Sequence, residues 1–162
     1  MGIIKGKKLM LFIEKSSGNF KSLGYATNHT LSTSANTVDV AHKDLADAAG
    51  GRWEDQEIDT LNWTVTTENF YANDAEGVSF ADLFGYYSAG TELSVKFAIA
   101  DASTSGVPTG GWVPTTTAGN DVLSGKVIIT SIDMNAPVSD NASFSVTFTG
   151  KGALTCTTLT SL

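Results

Sequence analysis

The segment VSFADLFGYYSAG, residues 78–90, is the part of this sequence that predicts a helix most clearly. Ser79 is a good N-cap, and Asp82 three residues later completes a capping box that satisfies backbone donors at the helix start. Gly90 is placed to end the helix in a left-handed conformation. A helix over about 79–89 then carries an apolar stripe at i, i+3, i+4 and i+7, which we expect to pack on the core: Phe80, Leu83, Phe84 and Tyr87.

The composition around this helix is typical of a folded, mainly β protein. The 162 residues are 41% hydrophobic and 17% charged, with 16 glycines and 3 prolines. This length suits one domain with a substantial core, so we expect a single domain over residues 1–162. Abundant threonine and serine favour strands and turns. We therefore predict an antiparallel β-sandwich or barrel-like domain with one short flanking helix.

Strands are predicted where apolar residues alternate or run continuously between turn residues. Residues 8–14, KLMLFIE, are apolar on both faces, which indicates a strand that is buried on both sides. The segment 101–121 is rich in Thr, Ser, Gly and Pro and is expected to leave the sheet, with Trp112 holding it in place. Further strands are predicted over residues 28–41, 61–71, 92–100, 122–134, 142–149 and 153–159.

Residues 42–60, HKDLADAAGGRWEDQEIDT, predict a long acidic loop between two of these strands. Loops of this length without structure of their own are usually functional or disordered. Trp53 is unusual in so polar a segment. Two interpretations are equally good: the indole folds back on the core, or it anchors a partner surface.

Charge and the N-terminal sequence limit the partners that we expect. The net charge of −7 argues against a protein that grips nucleic acid, because neutralising phosphates needs a basic surface. The same charge is compatible with a surface that nucleic acid slides past. The start MGIIKGKKLMLFIEK has no secretory cleavage pattern, and no stretch reaches transmembrane length. We expect synthesis and folding in a cytosol, without a membrane partner.

The sequence shows no pattern of catalytic or metal-binding residues. His29 and His42 come without spaced cysteines, an HExxH or GxSxG pattern, or a P-loop. The single Cys156 excludes an intramolecular disulfide and a multi-cysteine zinc site. Most carboxylates of residues 42–60 share one loop, whereas acid–base catalysis needs carboxylates on rigid elements. We therefore predict no enzyme activity, no cofactor and no metal site.

Three stretches together carry a resemblance to a known family. They are SANTVDVAHKD at 34–44, NWTVTTENFY at 62–71 and FADLFGYYSAGTELSVKF at 80–97. In their order and spacing they resemble the phage major tail protein family, the tail tube subunits of long, non-contractile tails. The resemblance lies within about the first two-thirds of the chain. The segment 101–121 is outside it.

The resemblance implies a function in assembly. Subunits of this family form hexameric rings whose inner strands join into a continuous β-barrel, and the rings stack into a hollow tube that DNA passes through. The type VI secretion tube protein has a similar architecture. Further partners would be the tape measure, tail terminator and distal tail proteins, in a virion tail made in the host cytoplasm. The loop at 42–60 would contact the neighbouring ring, which makes these residues the candidate contacts: Lys43, Asp44, Arg52, Trp53, Glu54, Asp55 and Glu57.

A different class of protein is the main alternative. A β-sandwich module that binds carbohydrate or another ligand would use Trp53 and Trp112 as a stacking platform. That interpretation predicts a secreted parent protein and a rigid aromatic face. An enzyme on a β scaffold is a third possibility, and it lacks candidate catalytic residues.

Overall fold

A computed structural model describes residues 2–41, 43, 53–73, 77–101, 108 and 111–160. A 3-10 turn at Gly6–Lys8 precedes the first strand. The strands are β1 Leu9–Ser16, β2 Asn19–Ser22, β3 Ala26–Asp39, β4 Gln56–Phe70, β5 Leu93–Ile99, β6 Asp121–Asn135 and β7 Ser143–Thr158, and the helix is α1 Phe80–Ala89.

All strands belong to one antiparallel seven-stranded sheet in the order β2-β1-β5-β6-β7-β4-β3. The mainly β class, the antiparallel pairing and the flanking helix are confirmed. The sheet is not closed, because no ladder joins β2 to β3. The architecture is therefore one curled open sheet.

The link between β2 and β3 shows how strongly the sheet curls. These strands lie at opposite edges, yet only residues 23–25 separate them along the chain. In a flat sheet the six spacings between the edges would span about 29 Å. The four peptide steps from Ser22 to Ala26 reach at most about 14 Å. The two edges must therefore approach each other, which makes the sheet barrel-like with an open seam.

Backbone contacts hold this seam together. The N–H of Val78 donates to the Ser22 carbonyl over 2.9 Å, and the N–H of Ser22 donates to the Trp112 carbonyl over 3.0 Å. Gly77 and Gly111 meet at the same place, both with positive φ. A Cβ on Gly77 would lie 2.2 Å from the carbonyl oxygen of Ser22, so only glycine permits this approach.

The concave face of the sheet holds the main core. Along β4 and β7, alternate residues are buried on this face, as the period of a strand requires. The core residues are Leu11, Ile13, Leu23, Trp63, Val65, Val78, Leu83, Leu93, Val95, Val127, Ile129, Phe144, Val146 and Phe148.

A second, smaller core covers the opposite face at β1 and β5. Phe12 points away from its neighbours in β1 and packs with Ala98 and Val122. Trp112 and Leu159 lie over this cluster, so the segment after β5 is attached through its tryptophan as predicted. The prediction that residues 8–14 are buried on both faces is confirmed for β1.

The helix begins and ends where the sequence predicts. Ser79 and Asp82 form the capping box, and Gly90 ends the helix with φ of 65°. Burial raises the pKa of the Asp82 carboxyl, but hydrogen bonds from Ser79 and the charge of Lys15, 3.3 Å away, outweigh it and hold that pKa below its usual value. The capping carboxylate is therefore charged at neutral pH.

Only half of the apolar stripe of α1 is packed against the sheet. Leu83 is fully buried, and the Phe80 ring stacks edge-on against Phe144 with centroids 5.1 Å apart. Phe84 and Tyr87 are 52% and 44% exposed in the single chain. The helix is thus tilted so that its outer aromatic residues face away from the core.

Two boundaries differ from the sequence-based prediction. The strand β4 begins at Gln56, so the loop between β3 and β4 is shorter than the expected 42–60. The expected strands 142–149 and 153–159 are one strand, β7, because Gly150 and Lys151 continue the ladder with β6 and the pairing resumes at Thr155 after a register shift.

Candidate assembly surfaces

One large polar face of the sheet is left uncovered. It is the face of β3, β4, β7 and β6 that lies opposite the main core. Cross-strand neighbours on it form successive rows, because the register aligns residues of like character. We call this set the hydroxyl face: Thr30, Ser32, Thr64, Thr66, Glu68, Thr130, Asp133, Ser145, Thr147 and Thr149.

Hydrogen bonds between side chains tie the rows together. The hydroxyl groups of Thr130 and Thr149 lie 3.0 Å apart, and Thr130 also donates to the Thr147 carbonyl over 3.3 Å. Short hydroxylated side chains leave a smooth surface that water wets. Ser and Thr alternate with Phe and Val along residues 143–149, and such an alternation is typical of a strand with one polar and one buried face.

Charges are placed at the two ends of the hydroxyl face. Glu68 and Asp133 lie in the row of Ser145, at one end. Lys126 and Lys151 are paired at the other end and both contact Glu92, at 3.4 and 2.9 Å. Hydrogen bonds from Lys151 and then Lys126 hold the pKa of Glu92 below its usual value. The middle of the face is neutral.

Unpaired strand edges flank this face on both sides. The outer edge of β3 has no strand partner. On the other side, β5 pairs with β6 only as far as Val127, so residues 128–135 of β6 pair with β7 alone. Within the described residues, no other backbone hydrogen bond is made by that part of β6. Exposed edges of this length invite pairing with another chain.

The hairpin of β3 and β4 extends beyond the rest of the sheet. β4 pairs with β7 only over Thr64–Phe70, while its earlier residues pair with β3 alone. We call residues 34–39 and 56–62 the arm. Side chains cross-link it, including Asn36 to Thr60 at 2.9 Å. A two-stranded arm with no core of its own is suited to contact another surface.

The arm and its tip expose apolar groups. Leu61 is 76% exposed, although it continues the row of Trp63 and Val65 on the core face. Ile58 is 62% exposed and Trp53, just before β4, is 83% exposed. Of the two interpretations of Trp53, the structure of the single chain therefore excludes burial in its core.

The predicted contact residues lie at or beside the arm. Lys43, Trp53, Glu54, Asp55 and Glu57 are all exposed. Asp44 and Arg52 lie outside the described residues. The N–H of Val40 donates to the Asp55 carbonyl over 2.9 Å, which brings the two sides of the loop together at the tip. We call residues 38–39 and 53–58 the arm tip.

A groove opens at the seam, beside the start of β3. It has a volume of about 630 Å³ and is lined by the β2–β3 link, by the N-terminal segment and by β1 and β5. Its apolar lining includes Leu9, Met10, Phe97 and Trp112, and Lys7 lies at its rim. We call it the seam groove. No sequence pattern indicates this groove, because residues far apart along the chain form it.

His29 faces the interior at one end of the seam groove. Its Nδ1 is buried without a hydrogen-bond partner among the described residues, as is Oδ1 of the nearby Asn69. Burial lowers the pKa of His29 to about 4. The imidazole is therefore neutral at pH 7, which fits a structural residue rather than an acid–base catalyst.

The described residues can be compared with two features that the alternative classes require. These residues contain no group of three or more His, Cys, Asp or Glu placed to hold a metal ion. Trp112 packs at the seam, whereas Trp53 lies at the arm tip, so the two indoles do not form one stacking platform. No helix in the described part of the chain has the length and apolarity to cross a membrane.

Comparison with solved structures gives the same fold in three assemblies. The tail of an empty gene transfer agent particle, refined with C6 symmetry, has a TM-score of 0.69 at 17% identity over 96% of this chain and 99% of that chain. The virion of the native gene transfer agent has a TM-score of 0.67 at 18% identity, over 96% of this chain and 99% of that chain. The SPP1 tail tube has a TM-score of 0.65 at 10% identity, over 98% of this chain and 81% of that chain. No curated protein sequence matches this chain.

The unpaired edges on both sides of one polar face are suited to a structural subunit that joins to further chains. The model of the phage tail tube protein family matches residues 3–156, nearly the whole chain. The chain belongs to the phage tail tube protein family.

Proposed function

We propose that this protein is the repeating subunit of a phage tail tube, in which six copies form a ring and the rings stack into a hollow conduit for DNA. The observation that carries this function is the pair of unpaired edges on either side of one polar face. Family membership supports the structural role. The number six is supported by the C6 symmetry of the similar gene transfer agent tail.

The strand directions fit closure into a ring. The hydroxyl face has four strands in antiparallel order, so β3 and β6 at its edges run in opposite directions. When copies are related by rotation about a ring axis that runs along the strands, each strand keeps its direction in every copy. The β3 edge of one copy therefore meets the β6 edge of the next copy as an antiparallel pair, and the sheet continues without interruption.

The resulting barrel would have room for a conduit. Six copies of four strands give 24 strands. At about 4.8 Å between strands, the backbone circle is about 37 Å across, and strand tilt widens it. The hydroxyl face lines the inside, because the main core and helix occupy the other face. The hydroxyl groups are neutral, Glu68 and Asp133 repel phosphates, and Lys126 and Lys151 are already paired with Glu92, so the face would hold passing phosphates weakly.

The arm supplies the contact between rings. It extends along the strand direction and carries the exposed contact residues Trp53, Glu54, Asp55 and Glu57. Burying the exposed apolar groups of the arm against a neighbouring ring would stabilise the stack. Tape measure, terminator and distal tail proteins would meet the ends of such a tube, in a virion tail assembled in the host cytoplasm.

Electron microscopy of the purified protein tests this function. We expect tubes of constant diameter that show sixfold rings end-on. Replacing residues 42–53 by an Asn-Gly turn should leave the thermal unfolding of the chain nearly unchanged and abolish tubes. Val138→Ser, at an exposed apolar turn residue away from the arm, is the control and should assemble normally. A protein that stays monomeric at high concentration and retains a soluble glycan would contradict the proposal.

A further inference from the structure

We propose that the arm tip of one copy docks into the seam groove of the axially adjacent copy, with the lysines of the N-terminal segment pairing with the arm carboxylates. This inference rests on the proposed stacking of rings. It adds the receiving surface, which neither the fold comparison nor the sequence identifies. The occupant of the seam groove is thus a second copy of this chain.

The seam groove combines an apolar floor with a basic rim. Leu9, Met10 and Trp112 line it, and Lys7 stands at its edge. Lys5 and Lys8, in the same short segment, are also exposed. Within the described residues, none of these three lysines forms an ion pair, whereas Lys15, Lys126 and Lys151 do. The rim therefore carries positive charge that the single chain does not neutralise.

The arm tip has the complementary character. Asp39, Glu54, Asp55 and Glu57 give it four carboxylates, and none of them is in an ion pair with a described residue. Trp53 and Ile58 provide exposed apolar groups next to these carboxylates. An acidic tip with an aromatic anchor fits a groove that has an apolar floor and lysines at its rim.

The two surfaces lie at opposite ends of one strand. The seam groove adjoins the start of β3 as far as His29, whereas the arm tip includes the end of β3 at Asp39. The ten residue steps between them span about 33 Å at the rise of a strand. A single chain therefore cannot fill its own groove with its own arm tip. Complementary patches on opposite ends produce a head-to-tail contact that repeats without closing, as a growing tube requires.

Cross-linking tests the contact directly. Glu57→Cys and Lys7→Cys are combined in a Cys156→Ser background, assembled, and treated with a short bismaleimide. We expect a ladder of covalent oligomers on a denaturing gel, with the linked peptides 57 and 7 found by mass spectrometry. The matched control pairs Glu57→Cys with Ser88→Cys on the helix, and no ladder is expected there. Absence of the 57–7 link from well-formed tubes would overturn the proposal.

Charge reversal tests the electrostatic part. Reversing Lys5, Lys7 and Lys8 to Glu should raise the protein concentration needed for tubes at least about tenfold, since rim charges govern encounter and register. Adding Asp55→Lys and Glu57→Lys to that variant should restore assembly. Lys21→Glu makes the same type of charge change on β2, outside the seam groove and at a lysine in no ion pair with a described residue, and should assemble as the unmodified chain does.

The outcomes separate this inference from the proposed function. If the unmodified chain and all charge variants form tubes equally well, the arm tip docks elsewhere, and only the inference fails. If the unmodified chain forms no tubes under any condition, the proposed function fails and the inference with it.

Discussion

The indole N–H of Trp63 donates to the Gly152 carbonyl over 3.1 Å and fixes the point where the arm leaves the sheet. Here β4 separates from β7 and continues with β3 alone. The indole ring lies directly on Gly125 and Gly150, where a Cβ would come within 2.6 and 2.3 Å of ring atoms. Trp63 therefore joins β4, β6 and β7 at the base of the arm as well as filling the core.

We expect Gly150→Ala to destabilise the fold, because its methyl group would overlap the Trp63 ring. Overpacking of this kind costs about 1–3 kcal/mol or more. Gly85→Ala is the matched control, since its Cβ meets no atom within 4 Å and lies in the interior of α1. That change should stabilise by about 0.5–1 kcal/mol through helix propensity. Urea unfolding measures the stability of both variants. An unchanged unfolding midpoint for Gly150→Ala would contradict the packing of the Trp63 ring against Gly150.

The helix offers a second matched pair at adjacent positions. Leu83→Ala should lower the free energy of unfolding by about 2–5 kcal/mol, because Leu83 is fully buried. Phe84→Ala should cost about 1 kcal/mol or less in the single chain, since half of that ring is exposed. Thermal and denaturant unfolding of monomeric protein give the comparison. A larger effect at Phe84 would mean that the helix packs with its other side.

His29 predicts a pH dependence of stability. Its folded pKa of about 4 lies below the ordinary 6.5, so between these values the unfolded chain binds more protons than the folded one. Stability should therefore fall as pH decreases from about 6.5 to 4, by at most about 1.4 kcal/mol per pH unit from this residue. His29→Gln should flatten that slope in unfolding curves measured from pH 7 to 4. An identical slope in both proteins would show that His29 titrates normally in the folded chain.

The direction of the hydroxyl face can be seen in assembled tubes. Thr147→Cys in a Cys156→Ser background, labelled with a small gold maleimide before assembly, should place density inside the tube. The same label at Ser88→Cys on the helix should appear outside. Electron microscopy of the two samples distinguishes them. Gold from position 147 on the outer surface would show that the sheet faces the other way.

Much of the local structure could be predicted because it depends on neighbouring residues. The capping box of Ser79 and Asp82, the C-cap at Gly90 and the doubly buried β1 are properties of short sequence windows. The alternation of Ser and Thr with Phe and Val in β7 likewise indicated one wet and one buried face. The resemblance of three short motifs to tail tube proteins led to the correct family.

The features that failed or escaped prediction depend on long-range contacts. The exposure of Phe84 and Tyr87 follows from how α1 is placed over β6 and β7, which its own periodicity does not specify. The early start of β4 depends on pairing with β3 across the arm. Strand pairing is decided by a partner, so the end of a strand is poorly defined by its own residues.

The helix with its caps, most strand positions, the mainly β class and the exposed Trp53 in an acidic segment could be predicted from the amino-acid sequence, because propensity and periodicity are local. The curling of one sheet until its edges β2 and β3 meet at an open seam depends on tertiary contacts, as do the groove at that seam and the arm tip about 33 Å away along β3. The physical reason is that curling brings together residues distant in the chain, and the three-residue link between β2 and β3 allows no flatter arrangement.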